Sequence, residues 1–125
     1  MNVQEFATRV ALSPHTVRYY EKLGLLISIK RDANGHRRFA EQDVAWLEFI
    51  LRLKNTGMSL TDILRYAELR ASGDVTLLER KAMLEIHAKQ LHQQLMLQQE
   101  HLSRVQEKIV YYDNEIRKKA STTSK

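Results

Sequence analysis

SPHTVRYYEKLGLL, Ser13–Leu26, decides how the rest of the chain is read. The Ser13 hydroxyl can cap a helix. Pro14 falls at the first helical position, where a missing N–H costs nothing, and Gly24 suits the left-handed residue that closes a helix. Between these punctuation marks the spacing predicts a short helix. On it His15, Arg18, Tyr19 and Lys22 follow the i, i+3, i+4, i+7 rule and share one face, while Val17 and Tyr20 turn toward a core. The outward stripe is cationic and aromatic, with no acid before Glu21. Arg can bond a guanine edge at two points in the major groove, and a Tyr hydroxyl and the free N–H groups near Ser13 can bond phosphates. A solvated amphipathic helix shows the same pattern, so the stripe alone leaves both readings open.

The flanking sequence weighs between them. Upstream, Asn2 and Glu5 form a capping box for a first helix, whose Phe6 and Val10 share a face. Ala11-Leu12 is the turn, and Leu12 with Val17 makes a hydrophobic staple. Two short helices joined by a tight turn read as helix-turn-helix. Downstream lies LISIKRDANGHRRF. Ile27 and Ile29 alternate with polar residues as in a strand. Asn34-Gly35 is expected to form a two-residue turn with positive φ at both positions, and residues 36–39 form the return strand. This basic wing brings Lys30, Arg31, His36, Arg37 and Arg38 beside the stripe and favours a polyanion. With Thr16 on the helix, these residues complete the candidate DNA-binding set. The charge agrees: the chain is +5 overall, and residues 1–40 carry seven Lys/Arg against Glu5, Glu21 and Asp32.

A third helix is expected from Glu41 to Asn55, with Val44, Leu47, Ile50, Leu51 and Leu53 at helical spacing and Gly57 beyond its end. Ser59 caps a fourth helix that runs to about Arg70, with Met58 and Ile63 as staple partners. Residues 1–70 thus form the head and 71–75 a connection. From residue 76 to 119 there is neither Gly nor Pro. Leu84, Leu91, Gln98, Val105 and Tyr112 fall seven apart, as do Ala88, Leu95, Leu102, Ile109 and Ile116, in the d and a places of a heptad. So narrow an apolar stripe predicts a dimeric coiled coil, of orientation that the heptads leave open. Residues 120–125 are expected to be a disordered tail.

Other chemistry finds little support. The 125 residues contain no cysteine, which excludes disulfides, thiolate metal sites and thiol sensing within them. His87, His92 and His101 are spaced five and nine apart, so no i, i+4 ligand pair forms; they are read as solvated positions flanking the seam, and no metal or cofactor is expected. Trp46 and Phe49 read as core packing, and Lys54–Gly57 as a helix end. No nucleophile–base arrangement or phosphate loop appears, so no enzyme is expected. With no apolar run of ~20 residues and no signal peptide, neither membrane span nor export is expected, and the location is cytoplasmic.

RYYEKLGLL, RDANGHRRF and WLEFILRLKNTGMSL together resemble the MerR family of bacterial transcription regulators, closely over residues 1–70 and in kind along the final helix. The resemblance implies a mostly α fold: a winged helix-turn-helix head with a β-hairpin wing, a second wing from the third and fourth helices, and an antiparallel coiled-coil homodimer. It implies binding to a promoter palindrome with an overlong −35/−10 spacer, which the protein bends and untwists for RNA polymerase, with Arg18, Tyr19 and Arg37 touching DNA. LKNTGMSLTDI and GDVTLLER look most like the aldehyde- and nitrosative-stress-responsive subgroup, which carries a reactive cysteine near the end of the fourth helix; Leu69 stands there. Two alternatives remain: an effector-independent architectural or excisionase-like DNA binder, and a coiled-coil adaptor with an incidental basic end.

Overall fold

The computed structural model describes residues 1–27 and 29–123. Its elements, in order, are α1 (Val3–Arg9), α2 (Pro14–Leu23), β1 (Lys30–Arg31), β2 (Arg37–Arg38), α3 (Glu41–Asn55), α4 (Leu60–Ala71) and, after a single 3-10 turn at Asp74–Thr76, α5 (Leu77–Thr123). The fold is mostly helical with one antiparallel hairpin, as expected. Two compact units divide it, Met1–His87 and the chain from Ala88 on.

The helix ends follow the punctuation in the sequence. The Asn2 side chain accepts from the Glu5 N–H while Glu5 accepts from the Asn2 N–H, closing the capping box of α1. Ser13 caps α2 through the Thr16 N–H, Pro14 sits in its first turn, and Gly24 ends it in the left-handed conformation at φ 94°. Ser59 caps α4 by accepting from the Asp62 N–H. Each such cap stabilises by ~1 kcal/mol. Between α1 and α2, Ala11 adopts φ 57°, a left-handed conformation that strains a residue with a Cβ.

Phe6, Val17, Leu47, Ile50 and Ile63 are the largest fully buried side chains, and they join α1, α2, α3 and α4 into one core. The Phe6 and Phe39 rings stack at 4.2 Å, and the Phe39 N–H donates to the Met1 carbonyl at 2.8 Å, which roots the wing in the core. Trp46 is buried, its Nε1–H donating to the Leu25 carbonyl at 2.7 Å and its ring stacked on Tyr66 at 5.7 Å. Met83 and Leu84, in the first turns of α5, pack against the same core.

Four expectations need correction. The strands are two residues each, so Ile27 and Ile29 lie outside β1; Ile27 is exposed, and Ser28 lies outside the described residues. The hairpin turn is longer than Asn34-Gly35. Among the described residues only Gly35 in it has positive φ; the Gly35 N–H donates to the Asp32 carbonyl and the Asp32 N–H to the His36 carbonyl, while Asp32 Oδ1 accepts from the Asn34 and His36 N–H groups. This side-chain cap makes a three-residue turn closed by a left-handed glycine. His87 is buried rather than solvated, with Nε2 2.8 Å from Thr56 Oγ1, because α5 is still packed on the head there. Finally, α5 continues to Thr123, beyond the expected end at residue 119: no Gly or Pro stops it, and Thr122 turns its hydroxyl to the Lys118 carbonyl. Ser124 and Lys125 lie outside the described residues.

In the second unit Leu91, Leu95, Leu102, Val105, Ile109, Tyr112 and Ile116 are all exposed, as are Met96, Leu97, Val110 and Tyr111 outside the seam. His92, Gln98 and His101 are exposed too.

Candidate nucleic-acid interface

The face proposed from the spacing of α2 forms as expected. Val17 and Tyr20 are buried, while His15, Arg18, Tyr19 and Lys22 are exposed, Tyr19 by 52%. Thr16 is half-buried, its hydroxyl 2.9 Å from that of Ser13, so it braces the cap more than it faces outward. Tyr20 is held from behind by Lys54 of α3, whose ammonium donates to the phenol oxygen at 2.9 Å.

The wing adds Lys30, Arg31, His36 and Arg38, all exposed, and Arg37, which is half-buried. Lys30 pairs with Arg38 and Arg31 with Arg37 across the two strands. Directly opposed residues of an antiparallel pair point to the same face, and successive residues to opposite faces. The hairpin therefore has one face with Arg31 and Arg37 and another with Lys30 and Arg38. Arg31 and Arg37 are not free: Glu21 of α2 accepts a hydrogen bond from Arg37 Nε and lies 3.5 Å from an Arg31 terminal nitrogen. The other terminal nitrogen of Arg31 donates to the Gly35 carbonyl at 2.9 Å. At the tip, Asp32 is held below the usual carboxylate range, first by the hydrogen bond from the His36 N–H.

Sequence reasoning named Glu21 only as the first acid of the stripe and missed its part in the site. The available signal was a carboxylate next to Lys22, at the end of the stripe, in a stretch where seven Lys/Arg meet only Glu5, Glu21 and Asp32. Leu84, placed in the dimer seam from the heptad count, instead packs half-buried against the head's own core. Leu69 is buried, which leaves no reactive group at the end of α4. A cleft of about 300 Å³ is lined by Trp46, Ala67 and Arg70, with the Arg70 guanidinium 4.0 Å above the indole. Among the described residues no cluster of His, Cys, Asp and Glu could hold a metal ion, and no helix is long and apolar enough to cross a membrane.

This exposed cationic helix beside a basic hairpin is an arrangement shared with known regulators. Residues 1–69 match the MerR HTH family regulatory proteins, and residues 44–110 match the MerR DNA-binding family. An HTH-type transcriptional regulator of Haemophilus influenzae is 40% identical over 106 residues, spanning 85% of this chain and 78% of that one. The regulator AdhR of Bacillus subtilis is 38% identical over 84 residues, 67% of this chain and 60% of AdhR. Among solved structures, HiNmlR, described as a MerR family regulator lacking the sensor domain and bound to promoter DNA, superimposes with a TM-score of 0.82 at 37% identity over 90% of both chains. A MerR family regulator of Bacillus thuringiensis gives 0.77 at 31% identity, over 88% of this chain and 96% of that one. The chain belongs to the MerR family of DNA-binding transcriptional regulators.

Proposed function

We propose that the protein acts as a homodimer, paired through the exposed seam of α5, on a palindrome within a promoter whose −35/−10 spacer is overlong. It bends and untwists that DNA until RNA polymerase can engage both elements. Such work needs many phosphate contacts, since deformation costs several kcal/mol that the extra contacts repay. The observation that carries the reading is the surface formed by Arg18, Tyr19 and Lys22 beside the wing cations, on a fold that superimposes on HiNmlR, a regulator solved on promoter DNA. In this reading Arg18, mid-stripe, reads bases, while Tyr19 and the wing hold the backbone. The dimer is antiparallel and works in the cytoplasm, where the promoter is.

Within the family the proposal extends to the aldehyde- and nitrosative-stress-responsive subgroup, which the motifs LKNTGMSLTDI and GDVTLLER resemble, but without thiol sensing, since none of the 125 residues is cysteine. Likeness to HiNmlR, described as a MerR family regulator lacking the sensor domain, supports the reading without thiol sensing.

Transcription in vitro from the protein's own promoter tests the mechanism. With the natural spacer, purified polymerase should depend on the protein; with the spacer shortened by about two base pairs, it should not. Equal dependence on both templates would mean that the protein does not act by distortion and leaves the architectural reading. Arg18→Ala should narrow the preference for the operator over scrambled DNA by ~1–3 kcal/mol. An unchanged ratio would remove Arg18 as the base reader.

A further inference from the structure

We propose that Glu21 is a positioning residue for DNA recognition: its carboxylate fastens the wing to α2 through Arg31 and Arg37, and leaves Lys30 and Arg38 as the wing's phosphate contacts. The inference rests on the reading of α2 and the wing as the DNA interface, and names the part that holds its two pieces in register.

Strands of two residues cannot hold a hairpin in place by their own ladder. The root of the wing is fixed by the Phe6–Phe39 stack, but the strands need a second anchor. Glu21 supplies it. Its side chain is only 20% exposed, and it meets one arginine from each strand, both on the same face of the hairpin. Arg31 also reaches the Gly35 carbonyl, which carries the fastening to the turn. The charge-assisted bond from Arg37 to this partly buried carboxylate is stronger and more directional than a surface pair, and Arg31 adds its charge at 3.5 Å. The four wing Lys/Arg are thereby split, Arg31 and Arg37 engaged by Glu21 and Lys30 and Arg38 on the opposite face of the hairpin.

The sign of one substitution separates this role from simple electrostatics. A carboxylate beside a DNA-binding face repels phosphate, so removing it should tighten binding to every duplex if repulsion were all it did. As a clamp its loss should do the reverse on the operator. The test uses full-length Glu21→Gln, with binding followed by fluorescence anisotropy on the operator and on a scrambled duplex over a range of salt. Operator affinity should fall about tenfold, scrambled affinity should hold or rise, and the salt dependence on scrambled DNA should steepen by about one to two counterions as two guanidiniums are released. Tighter binding to both duplexes in equal measure would overturn the proposal. Adding Arg37→Gln to Glu21→Gln should cause little further loss on the operator, whereas an additive loss would show that Arg37 acts independently and would also overturn it. Circular dichroism and sedimentation of each variant separate misfolding or dissociation from lost register. If Glu21→Gln fails to fold, Arg31→Gln and Arg37→Gln, each removing the other side of the clamp, must give the same operator-selective loss or the proposal falls. If the wild-type protein itself shows no preference for the operator, the proposed function fails. The clamp is then judged on scrambled DNA alone, where an unchanged salt dependence in Glu21→Gln overturns it.

Discussion

Leu47 and Leu102 occupy equivalent places in their own helices, each on the apolar stripe that the spacing marks. Leu47 is fully buried in the core of the head; Leu102, in the unit from Ala88 on, is 55% exposed, like its seam neighbours Leu95 and Ile109. The unit Met1–His87 closes its core with its own elements, the first turns of α5 included, while the second unit leaves its stripe open. Periodicity therefore reports that a face is apolar without reporting what covers it. For the head the cover is intramolecular; for the seam, on the proposed function, it is a second copy.

The sharpest test of that contrast is the same change in both places. Leu47→Ala should lower the stability of the head by ~2–5 kcal/mol, as cavity-forming substitutions in closed cores do, at every protein concentration. Leu102→Ala should leave the head's stability untouched and instead shift the monomer–dimer equilibrium, seen as a concentration-dependent midpoint in sedimentation. If Leu102→Ala proved as costly as Leu47→Ala at all dilutions, the seam would be covered within one chain and the contrast would collapse.

A smaller effect is expected at Gln98, the polar residue at a d place near the middle of the seam. Gln98→Leu should raise the dimer's stability by ~1–2 kcal/mol from added apolar burial, with some loss of fixed register. Thermal unfolding of the dimer checks this, and an unchanged or lowered midpoint would place Gln98 away from the seam.

The smallest effect is confined to the head and depends on acid. Asp32 has a lowered folded-state pKa, so its contribution to the wing turn is fully present above the ordinary carboxylate value of about 4 and is lost as pH falls through the folded value. The Asn34 and His36 amide resonances, which bond the Asp32 carboxylate, should move together as pH falls through that range. Asp32→Asn should abolish the shared titration.

How much of this was legible in the sequence differs by the range of the interactions. Asn2 with Glu5, Ser13 with Pro14, and Gly24 fix their helix ends by bonds to residues three or four away, and all were readable. The span of α3 and the buried faces of Phe6, Val17, Leu47 and Ile50 followed from spacing in the same way. The turn at Asn34-Gly35 was located correctly but given the wrong geometry, because the Asp32 carboxylate caps a longer loop. His87, Leu84 and Glu21 were misplaced or passed over because each is defined by a partner far along the chain: Thr56, the head core and Arg37. No local pattern names such partners.

The His87–Thr56 bond has a consequence for how the chain comes to be folded. Thr56 stands at the C-cap of α3, and its hydroxyl also meets the Arg52 carbonyl, so the ring of His87 settles on a helix end 31 residues earlier in the chain. Synthesis proceeds at ~5–20 residues per second, and domains tend to fold as they emerge. A nascent head with α1 to α4 complete still lacks Met83, Leu84 and His87, so it waits with part of its apolar surface uncovered. The long helix α5 is thus begun before the head is finished, and no junction before residue 88 can exchange one head for another without opening the core of both.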